Sequence, residues 1–301
     1  MPSKIEVLPY NPKWPELFEK EAHLIKEALG SNCIEIHHIG STSIPGLPAK
    51  PIIDILPVVK EIQKAEESAS KMQALGYDVK GEFGIAFRRF FQKGQDVKTH
   101  NVHVFEQGNP EISRYLKFRD WMRSHPEDAK NYANLKTELA AKFPEDILQY
   151  VMGKDKYVAS IDAKDGYDGW RIVQALTDNE WACVRYLRGL YYQPPNSDPC
   201  SWPLLDKSHT HLIFYKNAAI IGYIHLQLNE DKTATLLLIV MDPSYRNDGY
   251  GSQFLGLCEK WLSHKGVKTF ITGPFNDAIG YFEKRGYTKI PGDEERTSKA
   301  L

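Results

Sequence analysis

Apolar residues recur every three or four positions from Trp14 to Leu29 and stop at Gly30, which predicts a first helix. Ile34 to Ile39 and Pro51 to Val59 are compact apolar runs of strand length, separated by the turn Gly40-Ser41-Thr42-Ser43. The pattern predicts a helix over 61–75, closed by Gly76, then strands at Ile85–Phe91 and Val102–Phe105. From Ser113 to about Ile161 the period is helical, with breaks near Pro126 and Pro144. A mixed sheet with an N-terminal helix and a C-terminal helical segment is the expected α+β arrangement.

The pattern pauses at Asp165-Gly166-Tyr167-Asp168-Gly169, which predicts two domains, 1–165 and 166–301. The second opens with a helix, Asp178 to Tyr191, for which Thr177 is a candidate N-cap. Strands are expected at His211–Tyr215, Ala219–Leu228, Thr233–Met241 and Thr269–Thr272. Helices are expected after Gly251 and over Asp277–Arg285. This is a compact α/β plan.

With 301 residues, 42% of them hydrophobic and 26% charged, the chain reads as globular. The net charge is −1 and each half is nearly neutral, so no basic stripe points to nucleic acid. Four scattered cysteines without a Cys-x-x-Cys pair argue against zinc ribbons and redox pairs, so no metal site is expected from them. No apolar run reaches the length of a membrane span and the N-terminus lacks an apolar leader core, so a cytoplasmic location is expected.

The most informative stretch is Leu237 to Ser252. An apolar strand meets Asp242-Pro243, then Arg246-Asn247-Asp248-Gly249-Tyr250-Gly251-Ser252, then an amphipathic helix ending at Lys265-Gly266. Glycines let backbone amides approach an anion closely, and the helix dipole adds attraction. The amides of Asn247 to Ser252, with Arg246 at the rim and the Ser252 hydroxyl, form a phosphate cradle. A ligand-free glycine turn would carry the same six residues.

Two segments together give residues 170–290 a resemblance to the GNAT family of acyl-CoA N-acyltransferases: the Arg-x-x-Gly-x-Gly loop, and Ala278-Ile279 with Phe282-Glu283-Lys284-Arg285-Gly286-Tyr287. The resemblance implies that the loop holds the pyrophosphate of acetyl-CoA. It also implies that Ile239, Val240 and Met241 pair with the pantetheine arm, and that the acceptor is an amine of a small molecule or peptide. The tyrosine that often protonates the leaving thiolate in that family falls on Phe282; Tyr281, the neighbour, is the alternative acid. The motif's asparagine falls on Phe275, with Asn276 one place late. For a general base the strand candidates are His211, His225 and Glu230. Tyr191, Tyr192 and Trp202 are candidates for the acceptor pocket, or for core packing.

The second pattern is Gly40-Ser41-Thr42-Ser43 followed by Lys50-Pro51-Ile52-Ile53-Asp54. A glycine-serine turn ahead of an acidic strand suits a nucleotide triphosphate with Mg²⁺, but that chemistry wants paired carboxylates at i and i+2. Asp54 has Leu56 there; Glu82 or Asp96 would have to substitute. His103 shares a strand face with Asn101, and Gly40, Ser41, Thr42, Ser43, Lys50, Asp54 and His103 form one candidate ligand site. Residues 5–163 resemble the GrpB family (the UPF0157 group) through His38 to Leu47, Lys50 to Asp54, Asn101 to Val104, Phe118-Arg119-Asp120, Tyr132 and Lys136. That resemblance implies a nucleotidyltransferase-like fold, and members fused to a dephospho-CoA kinase point to CoA-linked or nucleotide chemistry. Three readings follow: an N-acetyltransferase, a nucleotidyltransferase, or a non-catalytic CoA- or nucleotide-binding protein.

Overall fold

The computed structural model describes residues 4–191, 208–273 and 278–301. The chain separates into two compact units, Met1–Arg171 and Ile172–Leu301.

In the first unit five strands form a mixed sheet: β1 (Cys33–Ile39), β2 (Ile53–Val59), β3 (Tyr77–Val79), β4 (Arg88–Lys93) and β5 (His100–Glu106), in the order β1-β2-β5-β4-β3. β2 and β5 run parallel and the other pairs antiparallel. Helices α1 (Trp14–Leu29), α2 (Ile62–Glu67) and α3 (Ala69–Ala74) bring Trp14, Phe18, Ile25, Ile62 and Met72 onto Ile53, Ile55, Val59, Phe91, Val102 and Val104. On the other face Ile112, Tyr115 and Leu116 of α4 (Pro110–Ser124) meet Ile39, Leu56, Val58 and Phe105. Burial on both faces explains why β2 reads as an apolar run, and each fully buried aliphatic side chain contributes about 1.5–3 kcal/mol. α5 (Pro126–Lys142), α6 (Ile147–Met152) and α7 (Asp155–Lys164) complete the unit.

Two expectations here need correction. The single helix over 61–75 breaks at Ser68 into α2 and α3. The strand placed at Ile85–Phe91 begins only at Arg88, because Phe83, Gly84 and Phe87 hold positive φ and cannot continue a ladder.

The second unit carries the larger sheet. Its strands are β6 (Trp170–Gln174), β7 (His209–Lys216), β8 (Ala219–Leu228), β9 (Thr233–Met241), β10 (Thr269–Thr272), β11 (Thr288–Ile290) and β12 (Asp293–Ala300), ordered β11-β12-β10-β9-β8-β7-β6. The strand pattern did not reveal β6, β11 or β12: β6 and β11 are only five and three residues long, and β12 is a mostly polar run without an apolar alternation. α8 (Asp178–Tyr191) starts with a capping box: the Thr177 hydroxyl accepts from the Glu180 amide, and Glu180 accepts from the Thr177 amide. α9 (Tyr250–His264) packs on β9, and α10 (Ile279–Glu283) is shorter than the helix expected over Asp277–Arg285: it ends at Glu283, with Lys284 as its C-cap. Phe214 stacks on Phe254 of α9, while Tyr223 and His225 receive Arg188 of α8, so the two helices cover opposite faces. Among the described residues no helix is long and apolar enough to cross a membrane.

Candidate functional site

In the second unit the critical feature is where a ladder ends. β9 pairs with β8 along its length, from Ala234↔Leu228 to Met241↔Gly222. It pairs with parallel β10 only from Thr233↔Thr269 to Leu236↔Thr272, and the Gly273 amide makes the last bond, to the Leu236 carbonyl. Among the described residues β10 goes no further, so Leu237–Met241, which includes Ile239, Val240 and Met241, has an open side toward β10.

Beyond Met241, the Asp242 side chain caps the next turn through the Ser244 amide, and Arg246 folds back to donate Nε and Nη2 to the Met241 carbonyl at 3.2 and 3.1 Å. Asn247 and Gly249 both take positive φ, +68° and +83°. Gly249 is thereby the left-handed N-cap of α9, and it offers no side-chain cap to the helix amides. Tyr250, Gly251 and Ser252 form the first turn. A Cβ on Gly251 would lie 3.5 Å from Met241 Cγ and 3.7 Å from the Tyr281 hydroxyl. Asp248 and Gly249 sit at the exposed tip.

Tyr281 therefore faces the loop, whereas Phe282 is 2% exposed and packs edge-on against Tyr287. One feature escaped the sequence reading: Arg285 stacks over the Tyr281 ring at 3.5 Å, donates to the Tyr281 carbonyl at 2.7 Å and bonds the Ser252 hydroxyl. The spacing Tyr281/Arg285, one helical turn, was the available signal. Asn276 and Phe275 lie outside the described residues, as do Tyr192, Trp202 and the side chain of Tyr191.

The candidate bases are not gathered there. Glu230 stands exposed in the β8–β9 turn, at the opposite end of β9 from the glycine loop. Nine strand residues span about 27 Å, which removes Glu230 from the site. His225 is 1% exposed and stacks on His211 with 4.3 Å between ring centroids. It meets His209 Nδ1 at 2.7 Å and Arg188 at 3.3 Å, and His211 meets the Tyr223 hydroxyl at 2.7 Å. Burial, the neighbouring His211 and the Arg188 charge push His225 down to about 2; burial and Arg188 push His211 down to about 4. A base this weak stays neutral at pH 7 and accepts a proton only at high cost. The structure places the candidate base His225 within a buried polar network.

In the first unit the predicted residues do converge. Asp54 enters the otherwise apolar β2, where its Oδ1 accepts from Asn101 at 2.9 Å and lies 3.7 Å from His103 Nε2. Burial raises its carboxyl, but the His103 and Asn101 bonds and the Lys50 charge outweigh this and hold it below the usual carboxylate range. Arg88 contacts His103 Nδ1 at 3.2 Å. Gly40 packs directly on the Asp54 carboxylate: any Cβ would collide with Oδ2, and φ is +70°. The amides of Ser43 and Ile44 are consumed by the Gly40 and Ser41 carbonyls, Ser43 Oγ bonds the Gly40 carbonyl at 2.6 Å, and Thr42 bonds His38 at 3.0 Å. Among the described residues no group of three or more His, Cys, Asp or Glu could hold a metal. Glu82 binds the Phe87 amide and faces Arg89, so it does not supply the missing second carboxylate; the expected Mg²⁺ with nucleotide has no support.

Residues 4–164 match the family model described as GrpB protein, and residues 173–287 match that of the acetyltransferase (GNAT) family. The UPF0157 protein YqkA of Bacillus subtilis is 49% identical over 168 residues, which cover 56% of this chain and 48% of that protein. This chain thus spans about half the length of that relative. The crystal structure of the conserved protein GrpB from Enterococcus faecalis superposes with a TM-score of 0.52 at 42% identity, covering 53% of this chain and 96% of that one. A GNAT-family acetyltransferase from Staphylococcus aureus aligns with 44% of this chain and 99% of its own, at 14% identity and a TM-score of 0.37.

Proposed function

We propose that this chain, which belongs to the GrpB family through residues 4–164 and carries a GNAT-family domain at 173–287, transfers an acetyl group from acetyl-CoA to an amine of a small molecule or peptide. The observation that carries the reading is the end of β9: an open strand side over Leu237–Met241 running directly into a side-chain-free helix start at Gly249. Extended amides need a strand partner, and a pyrophosphate needs bared amides with a positive end of a dipole. The two are adjacent here in the order that an acyl-CoA presents them.

In the proposed reaction the neutral amine attacks the thioester carbonyl. A C–N bond forms and the C–S bond breaks; the amine's proton passes to water, Tyr281 protonates the departing thiolate, and the resulting tyrosinate recovers a proton from water. Phe282 has no proton to give, whereas the Tyr281 hydroxyl lies beside Gly251 of the loop. His225 and Glu230 have no part in this scheme.

Titration calorimetry with acetyl-CoA tests the binding step, and thiol release with a panel of amines tests the transfer. Gly249→Trp should abolish binding. Tyr281→Phe should leave the acetyl-CoA affinity within about twofold and lower kcat by about 10–100-fold. No heat of binding to the native protein would sink the proposal, and an unchanged kcat in Tyr281→Phe would remove that residue's role.

A further inference from the structure

Three lysines surround the turn-and-strand site of the first unit. Lys50 and Lys154 hold their ammonium groups 5.1 and 4.7 Å from the centroid of the same ring, Tyr150, which is 1% exposed. Lys136 is buried beside them, over Tyr132 at 4.8 Å, and donates to the Pro48 carbonyl. Neither Lys50 nor Lys154 makes an ion pair among the described residues; the negative charge that acts most on each is Asp54, with Asp155 acting also on Lys154. Lys154 is moreover the N-cap of α7, the positive end of a ten-residue helix, where a cation is disfavoured. Burial and the Lys50 charge push Lys154 down to about 8, and burial with Lys154 pushes Lys136 down to about 7. Crowding partly buried ammonium groups at a helix start costs stability unless an anion neutralises them.

Asp54 cannot be that anion's mate in a metal site, since it stands without a second carboxylate. Its free oxygen is an acceptor, held in place by Asn101, His103 and the close approach of Gly40. We propose that the first unit binds a small phosphorylated molecule, with lysine ammonium groups rather than a metal ion as counter-charge: its phosphate between Lys50 and Lys154, and one of its hydroxyl groups donating to Asp54. The Tyr132 hydroxyl neighbours Ser41 of the glycine-serine turn. This goes beyond the acyl transfer proposed for the second unit and does not depend on it.

Inorganic phosphate and ribose 5-phosphate are the probes, titrated calorimetrically into the full chain without divalent ions. Both should bind, ribose 5-phosphate more tightly. Lys154→Met and Lys50→Met should each weaken both probes by about tenfold, and Lys154→Arg should retain binding. Asp54→Asn should erase the advantage of the sugar phosphate while sparing inorganic phosphate. Reductive methylation followed by mass spectrometry needs no variant: phosphate should slow modification of Lys50 and Lys154 and leave Lys20 and Lys64 unchanged. Binding that persists undiminished in both methionine variants, or modification rates indifferent to phosphate, would overturn the proposal.

Discussion

Asp54 and His225 are both polar residues on buried strands, yet only for one were the surroundings readable. Asp54 interrupts an apolar run directly after a glycine-serine turn, and a lone charge on a central strand is costly unless partnered, so its partners Asn101 and His103 could be sought on the neighbouring strand. His225 alternates with apolar residues in a way that fits an exposed face equally well. Its burial depends on α8 delivering Arg188 and on His209 and His211 from β7, contacts that no local pattern encodes. The same cluster sets a pH response. His211 and His225 have folded pKa values near 4 and 2, below the unfolded 6.5, so the unfolded chain binds protons more readily. Their contribution is whole above pH 6.5 and is lost as pH falls toward the folded values. His211 alone would account for about 3 kcal/mol across that range. The unfolding midpoint of the second unit should therefore drop between pH 7 and pH 5 in buffers of constant ionic strength; a flat profile would contradict the burial of this pair.

At the scale of elements, α1 and α8 were legible because a helical period meets a terminating Gly30 or an N-capping Thr177, and β8 and β9 because compact apolar runs of strand length mark them. The end of the described β9–β10 ladder was not, because a sequence shows where a strand begins but not how far its pairing with a neighbour extends. Tyr281 was half legible: the helix pattern placed Tyr281 and Phe282 on different faces, but which face meets the loop depends on contacts distant in sequence, among them those of Arg285. That residue joins two elements, fastening α10 to the first turn of α9 through Tyr281 and Ser252. Replacing it with alanine removes two charge-assisted bonds and a stacked cation, an effect of about 1–3 kcal/mol on the tether. Arg285→Ala should weaken acetyl-CoA binding severalfold in calorimetry and lower the second unit's melting temperature. An unaltered affinity would mean that the tether does not shape the loop.

For the whole molecule, the glycine-rich pause at 165–169 pointed to two domains, and two compact units are present, each with its own sheet and core. The boundary is blurred because β6 begins at Trp170, one residue after the pause, and joins the larger sheet at its edge. Two cores should melt as two cooperative transitions in differential scanning calorimetry. Acetyl-CoA at a hundredfold excess over its Kd should stabilise the second by about 2.7 kcal/mol and leave the first in place. Phosphate should do the reverse. Coincident shifts of both transitions with either ligand would show coupling that the separate cores do not provide.

The open side of β9 also has a cost to the molecule that carries it. Unpaired amides on an extended strand are a template for any passing polypeptide, and natural sheets shield such edges with bulges, charges or covering loops. Over Leu237–Met241 the side chains are Leu, Leu, Ile, Val and Met, an uncharged run of the sort that adds strands readily. A slot of this kind is also a site for aggregation, and an acyl donor bound there as proposed would cover it. Purified without it, this chain should be the more prone to self-associate.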